Sequence, residues 1–204
     1  MSSESKGPDQ SQSNAPLFPG ATFLIPRISR QHLLTMGLAA IFGALVAGGY
    51  GIVHDQITYS ISPEYFARVK FKQFAAADFG LPRRVFVGEI GFLATWWVGF
   101  IAVWFQARLA LPAWPQAVAL QRVREGVAIV FACALVGGLV GCGLGFAERP
   151  ASLALAFRNY GDEIGVKDLR HFVVVAFIHY GSYGGGLIGL FGSLLRLRWL
   201  KSRR

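Results

Sequence analysis

Two histidine-containing strings and one acidic residue stand out in this chain as groups that could bind a metal ion or transfer protons. The first string is His54-Asp55-Gln56-Ile57-Thr58-Tyr59-Ser60-Ile61-Ser62-Pro63-Glu64-Tyr65-Phe66. The second is His179-Tyr180-Gly181-Ser182-Tyr183-Gly184-Gly185-Gly186, and Glu89 lies between the two strings in an apolar run. Imidazole and carboxylate groups bind hard or borderline metal ions, and histidine exchanges protons near neutral pH. The strings predict a polar site if the fold brings them together.

The composition is typical of a membrane protein. Of the 204 residues, 53% are hydrophobic, and the formal net charge is +9. The basic residues lie between apolar runs and in a short C-terminal segment, with no separate basic domain, so the charge argues against a nucleic-acid partner. Anionic lipid headgroups are the expected counter-charge.

Four apolar runs are long enough to cross a bilayer as helices, at residues 33–53, 85–105, 127–146 and 172–195. They predict an all-α fold, an integral membrane four-helix bundle over residues 31–198. Residues 1–30 are polar and have no apolar signal-peptide core, which predicts a disordered cytoplasmic tail. Residues 199–204 are expected to form a basic tail.

Both outer loops are predicted to carry a short interfacial helix. Ser62, Pro63 and Glu64 have the order of a helix N-cap, a first-turn proline and an acid that favours the helix dipole, which predicts a helix as far as Phe74. In the other outer loop, the apolar patch at residues 153–157 predicts a second such helix.

Small residues recur every fourth position in three of the runs, which places them on one helix face and lets a second backbone approach closely. We expect these faces to pack helix against helix and to offer contacts for a homo-oligomer or a membrane complex. The similar strings at residues 44–48 and 134–138 suggest two related hairpins. The small residues are Ala39, Gly43, Ala47 and Gly51; Gly137, Gly141 and Gly145; and Gly181, Gly185, Gly189 and Ser193.

The direction of each span predicts the depth of its polar groups. Four spans place both termini on one side, and the basic C-terminal cluster favours the cytoplasm. His54 then lies at the outer boundary, and Glu89 lies roughly 6 Å below it. His171 begins the fourth span at the depth of His54, whereas His179 lies roughly 12 Å deeper.

These depths predict an ion or ligand pocket in the outer half of the bundle. Polar groups inside a span are costly unless they face the interior and find partners. A haem would need two histidines on opposing helices at matched depth, which His54 and His171 offer but His54 and His179 do not. The cofactor stays open from the sequence: a divalent metal is one candidate, and haem is not favoured. The candidate pocket residues are His54, Asp55, Gln56, Glu64, Glu89, His179, Ser182 and Tyr183, and the candidate metal ligands are His54, Asp55, Glu89 and His179.

Each candidate also has a structural interpretation. His54 and Asp55 could cap the first helix, and Glu64 could serve only as a partner of the helix dipole. Glu89 could reach outward to a neighbouring arginine. His179 could be satisfied by a tyrosine or by a backbone carbonyl.

The two histidine-containing strings resemble those of a group of uncharacterised bacterial multi-pass membrane proteins. The resemblance covers the four-span layout but not the N-terminal tail. It implies a bacterial inner-membrane setting and brings no activity with it.

Three functions are consistent with the sequence. The one we favour is a membrane protein whose outer-leaflet pocket binds an ion or a small polar ligand, in a transport-related or accessory role. The second is a membrane-embedded enzyme, with metal dependence as one form of it. The third is a membrane scaffold or assembly protein that uses the first string as a docking loop.

Overall fold

Over the residues that it describes, the structure has four long helices, as the sequence predicts. The structure, a computed structural model, describes residues 29–148 and 165–203. The helices are α1 (Arg30–Ile61), α2 (Arg83–Ala110), α3 (Gln116–Ala147) and α4 (Leu169–Ser202). The all-α four-helix architecture is therefore confirmed. Most of the predicted N-terminal tail and the predicted interfacial helix at residues 153–157 lie outside the described residues.

The helices extend beyond the apolar runs that predict them. The side chain of Ser29 caps the start of α1 by accepting a hydrogen bond from the N–H of His32. Helix α1 ends at Ile61, eight residues beyond the apolar run. It ends there because Ser62 takes an extended conformation ahead of Pro63. Helix α4 continues to Ser202, so part of the predicted basic tail is helical.

Small residues hold the helices together as two hairpins, α1 with α2 and α3 with α4. A Cβ atom at Gly51 would collide with the carbonyl oxygen of Gly91, and one at Gly91 would collide with that of Gly51. Gly137 and Gly181 have the same reciprocal relation in the second hairpin. The predicted close approach is confirmed. The small-residue faces on which we based the expected oligomer contact therefore pack within the chain.

Contacts within each hairpin are far more extensive than contacts between the hairpins. Two apolar clusters join the hairpins at opposite ends of the bundle. One, which we call the terminal-end cluster, lies near the start of α1 and the end of α4 and includes Met36, Val103, Trp114 and Leu197. The other, the site-end cluster, includes Tyr65, Phe66, Val87, Phe172 and Val173.

The outward faces of the helices are apolar. All four helices are long and apolar enough to cross a membrane, and their exposed side chains include Leu45, Val53, Trp97, Leu139 and Ile188. Large exposed apolar surfaces of this kind suit lipid rather than water. The fold is that of a multi-pass membrane protein.

The α1–α2 loop is itself mostly helical and begins with the predicted cap. The side chain of Ser62 accepts a hydrogen bond from the N–H of Tyr65, and Pro63 occupies the first turn. A π-helical turn follows at Phe66–Lys70, then a short α-helical turn at Phe71–Gln73.

Glu64 fastens this loop to the start of α4. Its carboxylate accepts hydrogen bonds from the backbone N–H groups of Lys167, at 2.8 Å, and Asp168, at 2.9 Å. Asp168 in turn caps α4 by accepting from the N–H of His171, which lowers the pKa of Asp168. Glu64 therefore links the first hairpin to the second.

We expect the Glu64 attachment to weaken in acid. The N–H groups of Asp168 and Lys167 hold the pKa of Glu64 below its ordinary value of 4.5. A carboxylate whose pKa is lowered by folding stabilises the fold above its unfolded pKa and loses that contribution as the pH falls through its folded pKa. In detergent, the unfolding temperature of the wild type should therefore decrease when the pH is lowered below about 4.5. The decrease should be smaller for Glu64→Gln.

Asp78→Asn is the control for this pH series, because the Asp78 carboxylate accepts only a local hydrogen bond from the N–H of Gly80. It should follow the wild-type pH dependence. If Glu64→Gln follows it too, the Glu64 carboxylate does not make the attachment.

Candidate metal centre

Helices α1 and α4 bring two histidines and an aspartate together between the two hairpins. His54 and Asp55 lie two turns before the end of α1, and His179 lies about three turns after the start of α4. Asp55 Oδ1 lies 3.1 Å from His54 Nδ1 and 3.2 Å from His179 Nε2. We call these three residues the His–Asp cluster.

The predicted mismatch in depth between His54 and His179 is wrong. Their ring centroids are 4.8 Å apart, so the two imidazoles share one level. The prediction ended the first helix with the apolar run at Val53, whereas the helix continues to Ile61 and places His54 about 10 Å from its end. His171, predicted to match His54 in depth, lies about 12 Å along α4 from His179 and therefore away from the level of His54. It hydrogen-bonds to Asp168 Oδ2 at 2.7 Å.

The cluster is closed off from its surroundings. The exposed side-chain fractions are 12% for His54, 4% for Asp55 and 1% for His179. The Tyr65 ring stacks on the His179 ring, with centroids 5.1 Å apart, and Phe66 packs against the same ring. Such enclosure strengthens electrostatic interactions within the cluster.

The hydrogen bonds of His179 require a positive charge between it and Asp55. Its Nδ1 lies 2.9 Å from the backbone carbonyl oxygen of Val175, which can only accept, so Nδ1 carries the hydrogen. In a neutral imidazole the Nε2 lone pair then faces the Asp55 carboxylate, which is also an acceptor. Either a proton or a metal ion must lie between them.

The three side chains place their ligand atoms near the spacing of a metal site. One ligand atom from each of His54, Asp55 and His179 lies within 4.8 Å of the other two. In a tetrahedral site with bonds near 2 Å, ligand atoms stand about 3.3 Å apart, close to the 3.1 and 3.2 Å that Asp55 Oδ1 makes with the two histidines. The bond from His179 to the Val175 carbonyl is the support that metal-binding histidines usually have.

A second oxygen is free to take part. Asp55 Oδ2 is buried and has no hydrogen-bond partner among the described residues. Buried polar atoms normally find a partner, so this oxygen is a position where a metal ion or a water molecule could bind.

A hydrogen-bonded chain extends from the cluster along α1 and α4. Tyr50 donates to Ser182 Oγ at 3.3 Å, and Ser182 Oγ lies 3.3 Å from His54 Nε2. Protons could move along this chain from Tyr50 to His179. The hydrogen-bonded chain ends at the Val175 carbonyl, which has no proton to pass on. The geometry therefore favours a bound cation over a proton-conducting path.

The structure brings some predicted pocket residues together and separates others. Ser182 contacts His54, and the Tyr183 ring lies 6.1 Å from that of His179. Glu64 instead binds the start of α4. Gln56 and Glu89 line a separate open groove between α1 and α2, where the Gln56 amide donates to the carbonyl of Arg84.

Two residues beside the cluster were not predicted as pocket members. Tyr50 lies one turn before His54, a spacing that would have identified it once the helix was known to continue. Lys70, although only 5% exposed, lies within the predicted interfacial helix, where a lysine is expected to face the headgroups. Nothing in the local sequence indicates that it turns inward.

The terminal end of the bundle carries a smaller polar contact. Gln106 is buried there and its amide donates to Ser193 Oγ at 3.2 Å. Gly126 provides the space for this side chain, because a Cβ atom there would collide with Gln106 Oε1. The contact joins the two hairpins but contains no titratable group.

The chain matches no protein-family model, no curated protein and no solved structure. The resemblance to uncharacterised bacterial membrane proteins therefore stays a prediction. The functional inference rests on the His–Asp cluster alone.

Proposed function

We propose that this multi-pass membrane protein binds a divalent transition-metal ion, with Zn²⁺ as the best fit, between His54, Asp55 and His179. The observation that carries the proposal is the 3.2 Å contact of His179 Nε2 with the buried Asp55 carboxylate, two acceptors that need a cation between them once His179 Nδ1 carries the ring hydrogen. Two imidazoles and one carboxylate are a ligand set that Zn²⁺ accepts. The neighbouring Asp55 Oδ2, for which the described part of the chain offers no hydrogen-bond partner, supports the same conclusion.

The cluster supplies three protein ligands, which leaves a fourth position for water or another ligand. Structural zinc sites usually have four protein ligands, whereas sites that bind or transform a ligand keep one position open. This feature supports the ligand-binding function predicted from the sequence. It equally supports the second candidate, a metal-dependent enzyme in which the ion activates a water molecule or polarises a substrate.

Metal content measured on protein in lipid nanodiscs tests the proposal. We expect one equivalent of Zn²⁺ in the wild type, and a loss of affinity of about 100-fold or more in His179→Ala, since removing a ligand costs more than removing its support. His171→Ala is the matched control, because His171 is also on α4 and also bonds to an aspartate, but lies outside the cluster. Equal Zn²⁺ binding by both variants would overturn the proposal.

We also propose that the protein lies in a bacterial inner membrane with both termini in the cytoplasm, which places the His–Asp cluster in the outer leaflet. The basic residues at the end of α4 support this orientation. Cysteines introduced at Ser60 and at Ser202, both exposed in the structure, should react with an impermeant reagent from outside and from inside the cell, respectively. The reverse pattern would contradict the orientation.

A further inference from the structure

Lys70 is a buried cation next to the His–Asp cluster. It ends the π-helical turn Phe66–Lys70, in which the N–H of Phe71 bonds to the carbonyl of Phe66. A π-helical turn contains more residues than an α-helical turn, so it changes the direction of the side chains that follow, and such turns are frequent at functional sites. Lys70 is 5% exposed, whereas Lys72, two residues further on, is exposed.

The Lys70 ammonium has more hydrogen-bond donors than partners. It donates to the Tyr183 hydroxyl at 3.3 Å and lies 5.9 Å from the Phe74 ring centroid. None of the ion pairs among the described residues includes it. An ammonium group has three N–H donors, and burying a cation that makes no direct ion pair is costly.

Tyr183 adds a second donor at the same place. Its oxygen accepts from Lys70, so its own hydroxyl hydrogen is free to point elsewhere. The Tyr183 ring lies 6.1 Å from the His179 ring, and the Lys70 charge is close enough to Asp55 and His179 to act on both. Lys70 and Tyr183 therefore present two donors beside the cluster.

The charges around a bound metal call for an anion. A divalent ion, the Asp55 carboxylate, the Lys70 ammonium and two neutral histidines sum to a charge of about +2 in a medium where charge is expensive. Among the residues that the structure describes, the acids near the cluster do not offset it, because Glu64 is bound to the N–H groups of Lys167 and Asp168, and Glu89 lines the separate groove.

We propose that Lys70 and Tyr183 bind a phosphate group, one oxygen of which fills the fourth coordination position of the metal ion. This inference rests on the proposed metal site and identifies the class of ligand that the site accepts. The group is inorganic phosphate or a phosphate monoester, and the same chemistry is present in the headgroup of phosphatidic acid. Lys70 supplies the charge and Tyr183 a directed hydrogen bond.

Phosphate titration of the Zn²⁺-loaded protein in phosphatidylcholine nanodiscs tests this inference. We expect the wild type to bind phosphate, and Lys70→Met to bind it about tenfold more weakly or worse, as expected for loss of a charge-assisted hydrogen bond. Lys70→Met should bind Zn²⁺ at least as tightly as the wild type, because Lys70 is not a metal ligand and its removal takes a positive charge away from the ion. Lys72→Met, which changes an exposed lysine two residues away, should match the wild type in both measurements.

Three further measurements complete the test. Tyr183→Phe removes only a hydroxyl group, so it should weaken phosphate binding even if Lys70→Met fails to fold. Metal-free protein should bind phosphate about tenfold more weakly or worse. The last measurement uses nanodiscs that contain phosphatidic acid. If the lipid headgroup is the ligand, phosphatidic acid should raise the Zn²⁺ affinity of the wild type and prevent free phosphate from binding. If the ligand is soluble, free phosphate should still bind in these nanodiscs.

The outcomes separate the two proposals. A wild type that binds Zn²⁺ but neither phosphate nor phosphatidic acid overturns the phosphate site and leaves the metal site standing. Equal phosphate binding by Lys70→Met, Tyr183→Phe and the wild type also overturns it. A wild type that binds no Zn²⁺ overturns the metal site itself.

Discussion

Replacing Asp55 by Asn should lower the affinity for Zn²⁺ by about 100-fold or more while leaving the helices folded. The substitution keeps the size of the side chain and one oxygen that can accept from His54. It removes the only negative charge among the three ligands, in surroundings where a cation without that charge is strongly disfavoured. Isothermal titration of nanodisc samples measures the affinity, and circular dichroism monitors the fold.

Asp168→Asn is the matched control for this experiment. Asp168 also contacts a histidine, at 2.7 Å, but its side chain is 58% exposed compared with 4% for Asp55. Solvent screens that pair, so its loss should leave Zn²⁺ binding unchanged. A Zn²⁺ affinity that is the same in Asp55→Asn and in the wild type would show that Asp55 is not a metal ligand.

Replacing Gly181 by Leu should disrupt the α3–α4 hairpin. The first added atom, the Cβ, would meet the backbone carbonyl oxygen of Gly137, which cannot rotate away as a side chain can. Overpacking costs about 1–3 kcal/mol and sometimes more, and a clash with backbone belongs at the upper end. Because proteins are stable by only about 5–15 kcal/mol, we expect a large fall in the unfolding temperature and in the yield of folded protein.

Gly184→Leu tests whether the position or the substitution matters. Gly184 lies on the same helix less than one turn away, and a Cβ atom there has no neighbour within 4 Å. Its replacement should change the stability by about 0.5 kcal/mol or less. Equal unfolding temperatures for the two variants would contradict the close packing of Gly137 and Gly181.

The fold was largely predictable because lipid imposes strong limits on sequence. A span needs a continuous apolar run, and small residues at every fourth position must lie on one helix face. Both signals are local, and both were sufficient here. The ends of the helices were less predictable, since α1 ends at the Ser62 cap and Pro63 rather than where its residues become polar.

The candidate site was only partly predictable because its composition depends on helix rotation. His54, Asp55, His179 and Ser182 were identified from their type and approximate depth. Gln56 is two residues from His54 and therefore points to nearly the opposite side of the helix. The rotation of α2 directs Glu89 into another groove. That rotation is set by packing against α1, so the sequence around Glu89 does not indicate it.

Lys70 was missed for a different reason. Its inward direction accompanies a π-helical turn, which sequence patterns do not indicate, since the same residues fit an interfacial helix with exposed lysines. The hydrogen bond from the Lys70 ammonium to the Tyr183 hydroxyl is what identifies Lys70 as a neighbour of the cluster.

The division of the cluster between hairpins has a consequence for biosynthesis. The ribosome releases His54 and Asp55 more than a hundred residues before His179, so the nascent first hairpin enters the bilayer without its later partner. The neighbouring His54 imidazole, 3.1 Å from the carboxylate, gives it a hydrogen-bond partner during that interval. The adjacency of the two residues therefore provides the carboxylate with a polar partner within its own helix before the last helix is synthesised to complete the centre.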